Sequence, residues 1–406
     1  MRIAMISEHA SPLAVLGGVD AGGQNVHVAA LSVALAARGH RVTVYTRRDS
    51  PALAPVVPLA PGVDVVHVPA GPPAFLPKDD LPPYMPEFGD WLAAHWRLDG
   101  IPDVVHAHFW MSGVAALRAA RDLPVPVVQT FHALGTVKRR HQGDRDTSPA
   151  DRIATETSIA TEVDLVIATC SDEVNELKRM GISSEKINVV PCGVDTSLFT
   201  PLHSADFPTG RQRTAPTLLS VGRLVERKGV DTVIEALTML PGVELIVAGG
   251  PDSSALDADP EAIRLSELAT ALAVDDRVQL LGRVSHGELP SLMRSCDLVV
   301  CTPTYEPFGI VPIEAAACGK AVVGSAVGGL LDTVCDGRTG ALVKPNNPAA
   351  VADAVRDLLA DEERRHRFEV AARLRALTLY DWSSVSAATA TAYLSLVQAP
   401  RAEVPA

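Results

Sequence analysis

Two glutamates eight residues apart, Glu306 and Glu314, enclose the segment of the chain that is most suggestive of chemistry. Pro307 and Gly309 between them predict a turn from a strand into a helix, so that backbone N–H groups near Phe308 and Gly309 face outward at a helix N-terminus. A phosphate is stabilised at such a helix end, and a carboxylate on each side of it can accept hydrogen bonds from a sugar hydroxyl and from a ribose hydroxyl. The spacing predicts that Glu314 lies about two turns into the helix. The alternative is a pair of solvated helix glutamates.

A pair of cations precedes another predicted helix. Arg223 and Lys228 follow a predicted strand, at the end of the sheet where α/β proteins bind their ligands. Two positive charges there can neutralise a pyrophosphate, and each charge-assisted hydrogen bond contributes about 1.5–3 kcal/mol. The alternative is a loop of surface cations that pair with Glu226.

A glycine-rich turn opens the first predicted helix, with four glycines between residues 17 and 23. Glycines let the backbone approach a ligand closely, and the N-terminus of the helix that follows favours negative charge. The turn does not have the G-x-G-x-x-G pattern, and no acidic residue ends a strand about 20 residues later. Both observations argue against a nicotinamide cofactor.

Histidines end two predicted strands in the first half of the chain. His132 follows an apolar run, where its ring can contact a substrate hydroxyl or a developing charge, or simply cap the edge of a sheet. His106 and His108 lie on one face of another strand, but no third ligand at suitable spacing accompanies them, so no metal site is predicted. Two Asp-x-Asp strings, at 144–146 and 257–259, lie in polar loops and are interpreted as solvated charge.

Two sets of alternating strands and helices must position these residues. Strands are predicted at 2–6, 41–45, 63–68, 103–107, 125–131, 164–168 and 187–190, and again at 217–221, 244–248, 278–281, 297–301, 321–324 and 340–343. Near-continuous apolar strands are typical of parallel sheets covered by helices on both faces. The sequence therefore predicts an α/β protein with two Rossmann-like, doubly wound parallel-sheet domains that face a cleft.

The predicted domains are an N-terminal domain at 1–200, completed by a C-terminal helix at 381–397, and a C-terminal domain at 201–380. A proline-containing stretch at about 195–215 is the predicted linker, and 398–406 is predicted to be a disordered tail.

Composition and charge narrow the class of protein further. The 406 residues are 47% apolar and 21% charged, which excludes a disordered chain, and the formal net charge of −12 argues against nucleic acid or an anionic membrane as a partner. Six cysteines without C-x-x-C spacing predict reduced, buried thiols. We see no signal sequence and no transmembrane segment, and we expect a cytoplasmic monomer or homodimer.

Several of these features occur together in one order along the chain: Gly22-Gly23, Phe131-His132, Gly222-Arg223, Lys228-Gly229, and Glu306 with Glu314. This combination resembles the family 4 retaining glycosyltransferases of GT-B architecture, over nearly the whole chain. The resemblance implies a hexosyltransferase whose C-terminal domain binds a nucleotide-diphosphate sugar, a UDP- or GDP-sugar, and whose N-terminal domain binds a small-molecule acceptor. It implies no metal and no cofactor besides the sugar nucleotide as co-substrate.

The resemblance also implies roles for individual residues. Arg223 and Lys228 would hold the diphosphate and the charge that grows on it, Glu314 would bind the ribose, and Glu306 would bind the sugar hydroxyls. The reaction would take place on a single face of the sugar, with the leaving diphosphate accepting the acceptor proton. The catalytic residues so implied are His132, Arg223, Lys228 and Glu306, and the donor-binding residues are Gly23, Arg223, Lys228, Arg283, Val284, Glu306, Phe308, Gly309 and Glu314.

Three of these residues have more local roles in the resemblance. Gly23 would offer its amide to the distal phosphate, and His132 would contact the transferred sugar. The turn at Arg283 and Val284 would hold the nucleobase through backbone atoms. Backbone contacts discriminate bases poorly, so the donor base stays open.

Within the family, residues 11–13, 20–26 and 106–113 look most like a branch that contains D-inositol-3-phosphate N-acetylglucosaminyltransferases, sucrose synthases and sucrose-phosphate synthases. In the inositol-phosphate enzymes a Lys, an aromatic residue, a Thr and an Arg hold the acceptor phosphate. Lys78 and Arg152 match this set, whereas Phe109 replaces the phenol and Ala133 stands in place of the Thr.

The two missing hydroxyls would cost a buried phosphate about 2–4 kcal/mol if nothing replaced them. An anionic acceptor therefore stays open, and inositol phosphate is one alternative. The acceptor-binding residues so implied are Asn25, Lys78, Phe109 and Arg152.

Other functions also remain open from the sequence. A non-catalytic nucleotide-sugar-binding protein would keep the same pockets, and a GT-B phosphorylase would need a lysine-linked pyridoxal phosphate. A hydride-transfer enzyme is disfavoured by the first glycine-rich turn. The donor sugar, the acceptor and the linkage are not determined by the sequence.

Overall fold

A computed structural model describes residues 1–14, 22–201 and 215–398. Parts of the predicted glycine-rich turn (15–21) and of the predicted linker (202–214), and the tail from 399, lie outside the described residues. The chain divides into two compact units, Met1–Pro191 with Trp382–Ala406 as unit 1, and Cys192–Asp381 as unit 2. No helix among the described residues is both long and apolar enough to cross a membrane.

The helices and strands alternate along the described chain. The strands are β1 (Arg2–Ile6), β2 (Arg41–Arg47), β3 (Val56–Ala60), β4 (Val63–Val68), β5 (Val104–His108), β6 (Val127–Thr130), β7 (Leu165–Ala168), β8 (Ile187–Val189), β9 (Thr217–Val221), β10 (Glu244–Ala248), β11 (Val278–Gly282), β12 (Leu298–Cys301), β13 (Val322–Ser325) and β14 (Gly340–Val343). The helices are α1 (Gly23–Ala37), α2 (Met85–Asp99), α3 (Trp110–Ala120), α4 (Gly135–Gln142), α5 (Arg152–Glu162), α6 (Ser171–Arg179), α7 (Val230–Leu237), α8 (Pro260–Ala271), α9 (Leu289–Ser295), α10 (Ile310–Ala317), α11 (Leu330–Thr333), α12 (Pro348–Ala360), α13 (Glu362–Arg375) and α14 (Trp382–Val397).

Unit 1 is built on an eight-stranded sheet in the order β3-β4-β2-β1-β5-β6-β7-β8. All neighbours are parallel except β3 and β4, which are antiparallel. The order reverses next to β1, which pairs with β2 on one side and with β5 on the other. Helix α14 belongs to this unit, and its Tyr393 is fully buried in the same core as Met5 and Val44.

Unit 2 is built on a six-stranded parallel sheet in the order β11-β10-β9-β12-β13-β14. Its order reverses between β9 and β12. The core lies between the apolar strands and helices such as α7, where Val233, Ile234 and Leu237 are fully buried. The predicted α/β class with two parallel-sheet domains is confirmed.

Sequence patterns did not predict three elements of unit 1, namely β3, α2 and α4. Strand β3 contains Pro58 and lies at the sheet edge, where a missing backbone donor is tolerated. Helix α2 contains Gly89, and a Cβ there would lie 2.8 Å from the carbonyl oxygen of Ala115, so the glycine allows α2 to pack closely on α3. Helix α4 is polar and has no apolar periodicity to reveal it.

Gly229 and Gly242 offer a matched test of backbone packing in unit 2. Both have left-handed φ angles, +66° and +73°. A Cβ at Gly229 would lie 2.0 Å from the carbonyl oxygen of Thr302, whereas a Cβ at Gly242 would have no atom of the described residues within 4 Å. An alanine at either position pays about 1–2 kcal/mol for its backbone conformation. We expect Gly229→Ala to lose about 1–3 kcal/mol more than Gly242→Ala, because its backbone must also shift. Urea unfolding followed by circular dichroism measures both losses, and equal losses would contradict the prediction.

Candidate active site

In unit 2 most of the predicted donor residues lie on the chain segments that follow two strands, β9 and β12. These are neighbouring parallel strands, with Leu218 opposite Leu298 and Leu219 opposite Val299. The segments that leave their carboxyl ends emerge at the same edge, and the order of the sheet reverses at this point. Open α/β sheets bind ligands at such a reversal.

An ion pair joins the two segments. Lys228 Nζ donates a hydrogen bond to Glu306 Oε2, although the residues are 78 positions apart. Arg227 Nη1 lies 3.7 Å from the same oxygen, and Arg223 adds a further positive charge nearby. Burial by itself raises the pKa of the Glu306 carboxyl, but the charges of Lys228, Arg227 and Arg223 outweigh burial and hold this pKa below its usual value. Glu306 is therefore ionised at neutral pH.

Backbone contacts fix the loop that carries Glu306. The N–H of Thr304 donates to the carbonyl of Arg227 over 2.9 Å, and the N–H of Gly329 donates to the carbonyl of Glu306 over 2.9 Å. Gly328 has a φ of +48°, and a Cβ there would lie 2.1 Å from the Glu306 carbonyl oxygen. The pair Gly328-Gly329 was not recognised from the sequence, where its signal was a Gly-Gly step that begins three residues after the end of β13.

Helix α10 begins later than the sequence predicted. Gly309 has a φ of +93° and precedes the first helical residue, Ile310, so Glu314 lies about one turn into the helix and not two. Phe308 is buried, with its ring centroid 6.3 Å from that of Tyr380. Its side chain is therefore part of the core, and any contribution to donor binding would come from its backbone.

His286 contacts Glu314 and was missed by the sequence analysis. His286 Nε2 lies 3.3 Å from Glu314 Oε1. Burial raises the pKa of Glu314, and the contact with His286 opposes this rise. The hydrogen bond to Glu314 raises the pKa of His286. His286 lies in the turn that precedes α9, a helix that begins at Leu289, and its sequence neighbourhood gave no signal for a contact with Glu314.

The predicted base-binding turn lies at the same sheet edge but two strands away from β9. The N–H of Arg283 donates to the carbonyl of Pro251 over 2.8 Å, and Arg283 Nε lies 3.4 Å from Asp252 Oδ1. Gly282, with a φ of +72°, allows the close approach of these two loops. Val284 follows and is partly exposed. Arg283 thus follows a different strand from the ones that precede Lys228 and Glu306.

In unit 1 the structure brings three of the predicted acceptor residues together. Lys78 Nζ lies 5.4 Å and Arg152 Cζ lies 5.0 Å from the centroid of the Phe109 ring. Phe109 directly follows β5 and has an unusual positive φ of +80°, while its N–H donates to the carbonyl of Thr130 over 2.8 Å. Two cations facing one aromatic ring form a surface suited to an anion.

Arg152 also supports the turn that follows β6. It is buried, and it donates to Glu156 over 2.8 Å, to the Ser148 hydroxyl over 3.1 Å and to the Ala133 carbonyl over 2.7 Å. A guanidinium has five N–H donors. Within the described part of the chain these contacts engage three of them, which leaves two for a ligand. Burial raises the pKa of Glu156, and Arg152 opposes this rise.

The remaining predicted residues at α1 have different environments. Asn25 is buried; its Oδ1 accepts from the N–H of Gly22 over 3.0 Å and its Nδ2 donates to the Ser11 carbonyl over 2.9 Å. Asn25 thus ties together the residues on either side of 15–21. Gly23 is exposed as the first residue of α1, where backbone N–H groups have no partner within the helix.

His132 belongs to a cluster of four imidazoles. Its Nε2 lies 3.0 Å from His108 Nδ1, and its ring centroid lies 5.1 Å from that of His27, while the rings of His106 and His108 are 4.1 Å apart. Burial lowers the pKa of His27 to about 4 and that of His106 to about 3, and it also lowers the pKa values of His108 and His132. The cluster is therefore uncharged at neutral pH. The sequence did not associate His27 with it, because His27 lies on α1 with no local signal.

One interpretation of the Asp-x-Asp strings is wrong. Asp146 is not solvated: its side chain is 3% exposed and lies 2.9 Å from Lys138 Nζ. Hydrogen bonds from Ser148 and Lys138 outweigh burial and lower the pKa of Asp146 to about 2. Asp259 caps α8 by accepting from two backbone N–H groups. Among the described residues, no group of three or more His, Cys, Asp or Glu side chains is placed to hold a metal ion.

Family models and relatives agree with this architecture. Residues 21–198 match the model described as Glycosyltransferase Family 4, and residues 204–375 match Glycosyl transferases group 1. The chain is 39% identical to a D-inositol 3-phosphate glycosyltransferase of Xylanimonas cellulosilytica, over 97% of this chain and 96% of that protein. It belongs to the family 4 glycosyltransferases. A protein of the same name from Mycolicibacterium smegmatis is 40% identical over 89% of this chain and 84% of its own length.

Solved structures place the glycosyltransferase among proteins of the GT-B fold. Sucrose-phosphate synthase from Thermosynechococcus elongatus matches with a TM-score of 0.87 and 32% identity, over 97% of this chain and 98% of that one. Anabaena HepE, solved in complex with UDP and glucose, matches with a TM-score of 0.74 and 22% identity over 97% of this chain and 100% of that one, which supports the fold. The predicted family and fold are confirmed, whereas the roles of the individual site residues stay predictions.

The imidazole cluster predicts an acid-sensitive unit 1. His27 stays neutral in the folded protein down to about pH 4 but takes up a proton near pH 6.5 when unfolded. As the pH falls from 6.5 to 4, the unfolded state therefore gains protons, and the free energy of unfolding falls by up to about 1.4 kcal/mol per pH unit for each such histidine. We expect His27→Phe to reduce this slope, because it removes a group that titrates differently in the folded and unfolded states. The substitution keeps a ring and removes a buried Nδ1 for which the described residues provide no hydrogen-bond partner.

Tryptophan fluorescence reports this unfolding selectively, because all four tryptophans lie in unit 1. Guanidinium unfolding at several pH values between 4 and 7.5 gives the slope. Substitution of the exposed His141 by Gln is the control and should change the slope less. An unchanged slope in His27→Phe would show that this histidine does not titrate as described.

Proposed function

We propose that this glycosyltransferase is a retaining hexosyltransferase that moves a hexosyl group from a UDP- or GDP-sugar to a small hydroxylated acceptor that carries a phosphate. The observation that carries the proposal is the group of cations around Glu306. Three cations, Arg223, Arg227 and Lys228, surround this one carboxylate, so these four side chains together carry a charge of +2. The formal net charge of the chain is −12. A diphosphate linked to a sugar and a nucleoside carries two negative charges, which this cluster would neutralise.

The same cluster would stabilise the reaction. Transfer breaks the bond between the anomeric carbon and the distal phosphate oxygen and forms a bond to the acceptor hydroxyl oxygen. On a single face of the sugar, the leaving diphosphate oxygen takes the hydroxyl proton. Negative charge grows on the diphosphate as the first bond breaks, and Arg223 and Lys228 would stabilise it, while the ionised Glu306 would accept hydrogen bonds from sugar hydroxyls. Because these side chains supply the positive charge, we propose that the reaction needs no metal and no other cofactor.

The surface formed by Lys78, Phe109 and Arg152 supports a phosphorylated acceptor. Relatives 39–40% identical are named D-inositol 3-phosphate glycosyltransferases, which favours an inositol phosphate. The likeness to sucrose-phosphate synthase favours a second candidate, a hexose phosphate. Phe109 and Ala133 lack the two hydroxyls of the inositol-phosphate enzymes, so the two candidates must be compared directly.

Paired acceptors test the proposal. Thermal-shift measurements with UDP-, GDP- and ADP-sugars identify the donor, and mass spectrometry then detects products with inositol 3-phosphate, fructose 6-phosphate and their unphosphorylated counterparts, each with and without EDTA. Nuclear magnetic resonance of the product gives the anomeric configuration. A product with inverted configuration would contradict retention. Donor binding accompanied by neither transfer nor slow hydrolysis of the donor would favour the non-catalytic alternative.

Lys228→Ala tests the role of the cation cluster. We expect its turnover to fall by roughly 10²–10³, as when one preorganised charge-stabilising donor is removed. Lys344→Ala removes an exposed lysine after β14, the edge strand of the same unit, and should leave turnover unchanged. Initial rates at saturating donor and acceptor measure both effects. More than half of the wild-type rate in Lys228→Ala would exclude this role.

Lys78→Ala tests the acceptor surface. Loss of one hydrogen bond to a charged phosphate should raise the KM for the phosphorylated acceptor about 10–100-fold. The KM for the donor should stay the same, and so should turnover of the unphosphorylated acceptor. Lys178→Ala, on the exposed face of α6, is the matched control in unit 1. Equal effects of Lys78→Ala on both acceptors would show that Lys78 does not bind a phosphate.

A further inference from the structure

We infer that His286 is a positioning residue that keeps Glu314 ionised and oriented to accept hydrogen bonds from the ribose hydroxyls of the donor. This inference rests on the proposed function, in which Glu314 binds the ribose. His286 lies in the turn between β11 and α9, and this turn would therefore take part in donor recognition. His286 acts through Glu314 and needs no contact of its own with the substrate.

The geometry of the pair is one argument. His286 Nε2 and Glu314 Oε1 are 3.3 Å apart, and the two side chains are 33% and 8% exposed. Glu314 lies on α10 between Ile313 and Ala315, which are both fully buried. A carboxylate in such surroundings is stable only with a donor or a positive charge beside it. His286 supplies both when it is protonated, and one hydrogen bond when it is neutral.

Packing holds the imidazole in place. The ring of His286 makes an edge-to-face contact with Phe199, at 5.1 Å between centroids. Phe199 is itself fully buried, and its carbonyl accepts a hydrogen bond of 2.8 Å from Arg373. The ring is therefore presented to Glu314 by a rigid support. This arrangement is expected of a residue whose orientation matters.

The other groups near the pair do not replace His286. Burial raises the pKa values of both Cys301 and Cys318 to about 12, so that neither thiol is charged at neutral pH. Asp195 acts on His286 and favours its charged form. The Glu314 charge acts on both Cys301 and Cys318. Further charges act on these thiols among the described residues: Lys228 and Glu306 on Cys301, and Arg294, Lys320 and Arg373 on Cys318. Among the described residues, His286 alone both touches Glu314 and lowers its pKa.

Loss of His286 should therefore have a pH signature. Burial already raises the pKa of Glu314, and within the described ranges of the chain His286 is the group that opposes this rise. A protonated carboxyl has lost part of its capacity to accept hydrogen bonds from two ribose hydroxyls. Binding of a ribonucleotide should then weaken as the pH falls, and this should begin at a higher pH than in the wild type.

Calorimetric titration with UDP and GDP between pH 6 and 8.5 measures this signature. We expect wild-type affinity to change little over this range for the nucleotide that binds. His286→Phe keeps a ring against Phe199 and removes the nitrogen. The affinity of this variant for the nucleotide should approach that of the wild type at pH 8.5 and should be about tenfold or more lower at pH 6. His286→Gln, which restores a neutral donor, should fall less. The matching 2′,3′-dideoxynucleoside diphosphate should bind equally to wild type and His286→Phe.

Glu314→Gln separates the inference from the proposed function. If this variant binds the ribonucleotide as well as the wild type does, Glu314 does not bind the ribose, and the donor-site assignment fails. If Glu314→Gln loses affinity but His286→Phe and His286→Gln keep the wild-type pH profile, the inference about His286 alone is overturned. Thermal unfolding of each variant confirms that the compared proteins are folded.

Discussion

The contact between Lys228 and Glu306 depends on a constraint of parallel sheets. Neighbouring parallel strands end at the same edge, and at the point where the strand order reverses, the following segments run to opposite sides and leave space between them. In unit 2 this point lies between β9 and β12, so a lysine and a glutamate 78 positions apart form an ion pair. In unit 1 the order reverses beside β1, and Phe109 and His132 follow the next two strands. The positions of the candidate catalytic side chains follow from this rule of topology.

Burial of ionisable groups gives these positions their chemistry. Three carboxylates at the two sheet edges each have a charged or titratable partner: Glu306 has Lys228, Glu314 has His286, and Glu156 has Arg152. Desolvation destabilises a lone charge, and the partner offsets that cost. Around Glu306 the cations exceed the acid, and the excess positive charge is what can attract a diphosphate to an acidic protein. Around Glu156 one positive and one negative charge balance. Arg152 therefore provides hydrogen-bond donors in a fixed orientation and adds no excess positive charge.

Backbone strain occurs at the same edges. Among the described residues other than glycine, Phe109, His132, Ala273 and Asn346 have positive φ angles. Two of these four lie at the carboxyl ends of strands: Phe109 is the first residue after β5, and His132 is the second residue after β6. Such conformations cost on the order of 1–3 kcal/mol and persist when surrounding contacts enforce them. Here the Phe109 N–H bond to Thr130 and the imidazole cluster supply those contacts.

The sequence by itself determined the α/β class, the two parallel-sheet domains and the glycosyltransferase family, because apolar strand runs and the spacing of a few motif residues are local properties. It also identified Lys228, Glu306, Lys78, Phe109 and Arg152, which the structure groups as two clusters. It did not reveal α2, whose Gly89 is tolerated only because α2 packs on α3, or the start of α10, which depends on the backbone conformation of Gly309.

Only the tertiary structure decided the partners of the motif residues. His286 beside Glu314, His27 beside His132 and Asp146 beside Lys138 are contacts between segments that have no common pattern in the sequence. Whether a histidine is neutral or a carboxylate is ionised depends on burial and on the nearest charge, and both are fixed when distant parts of the chain pack together.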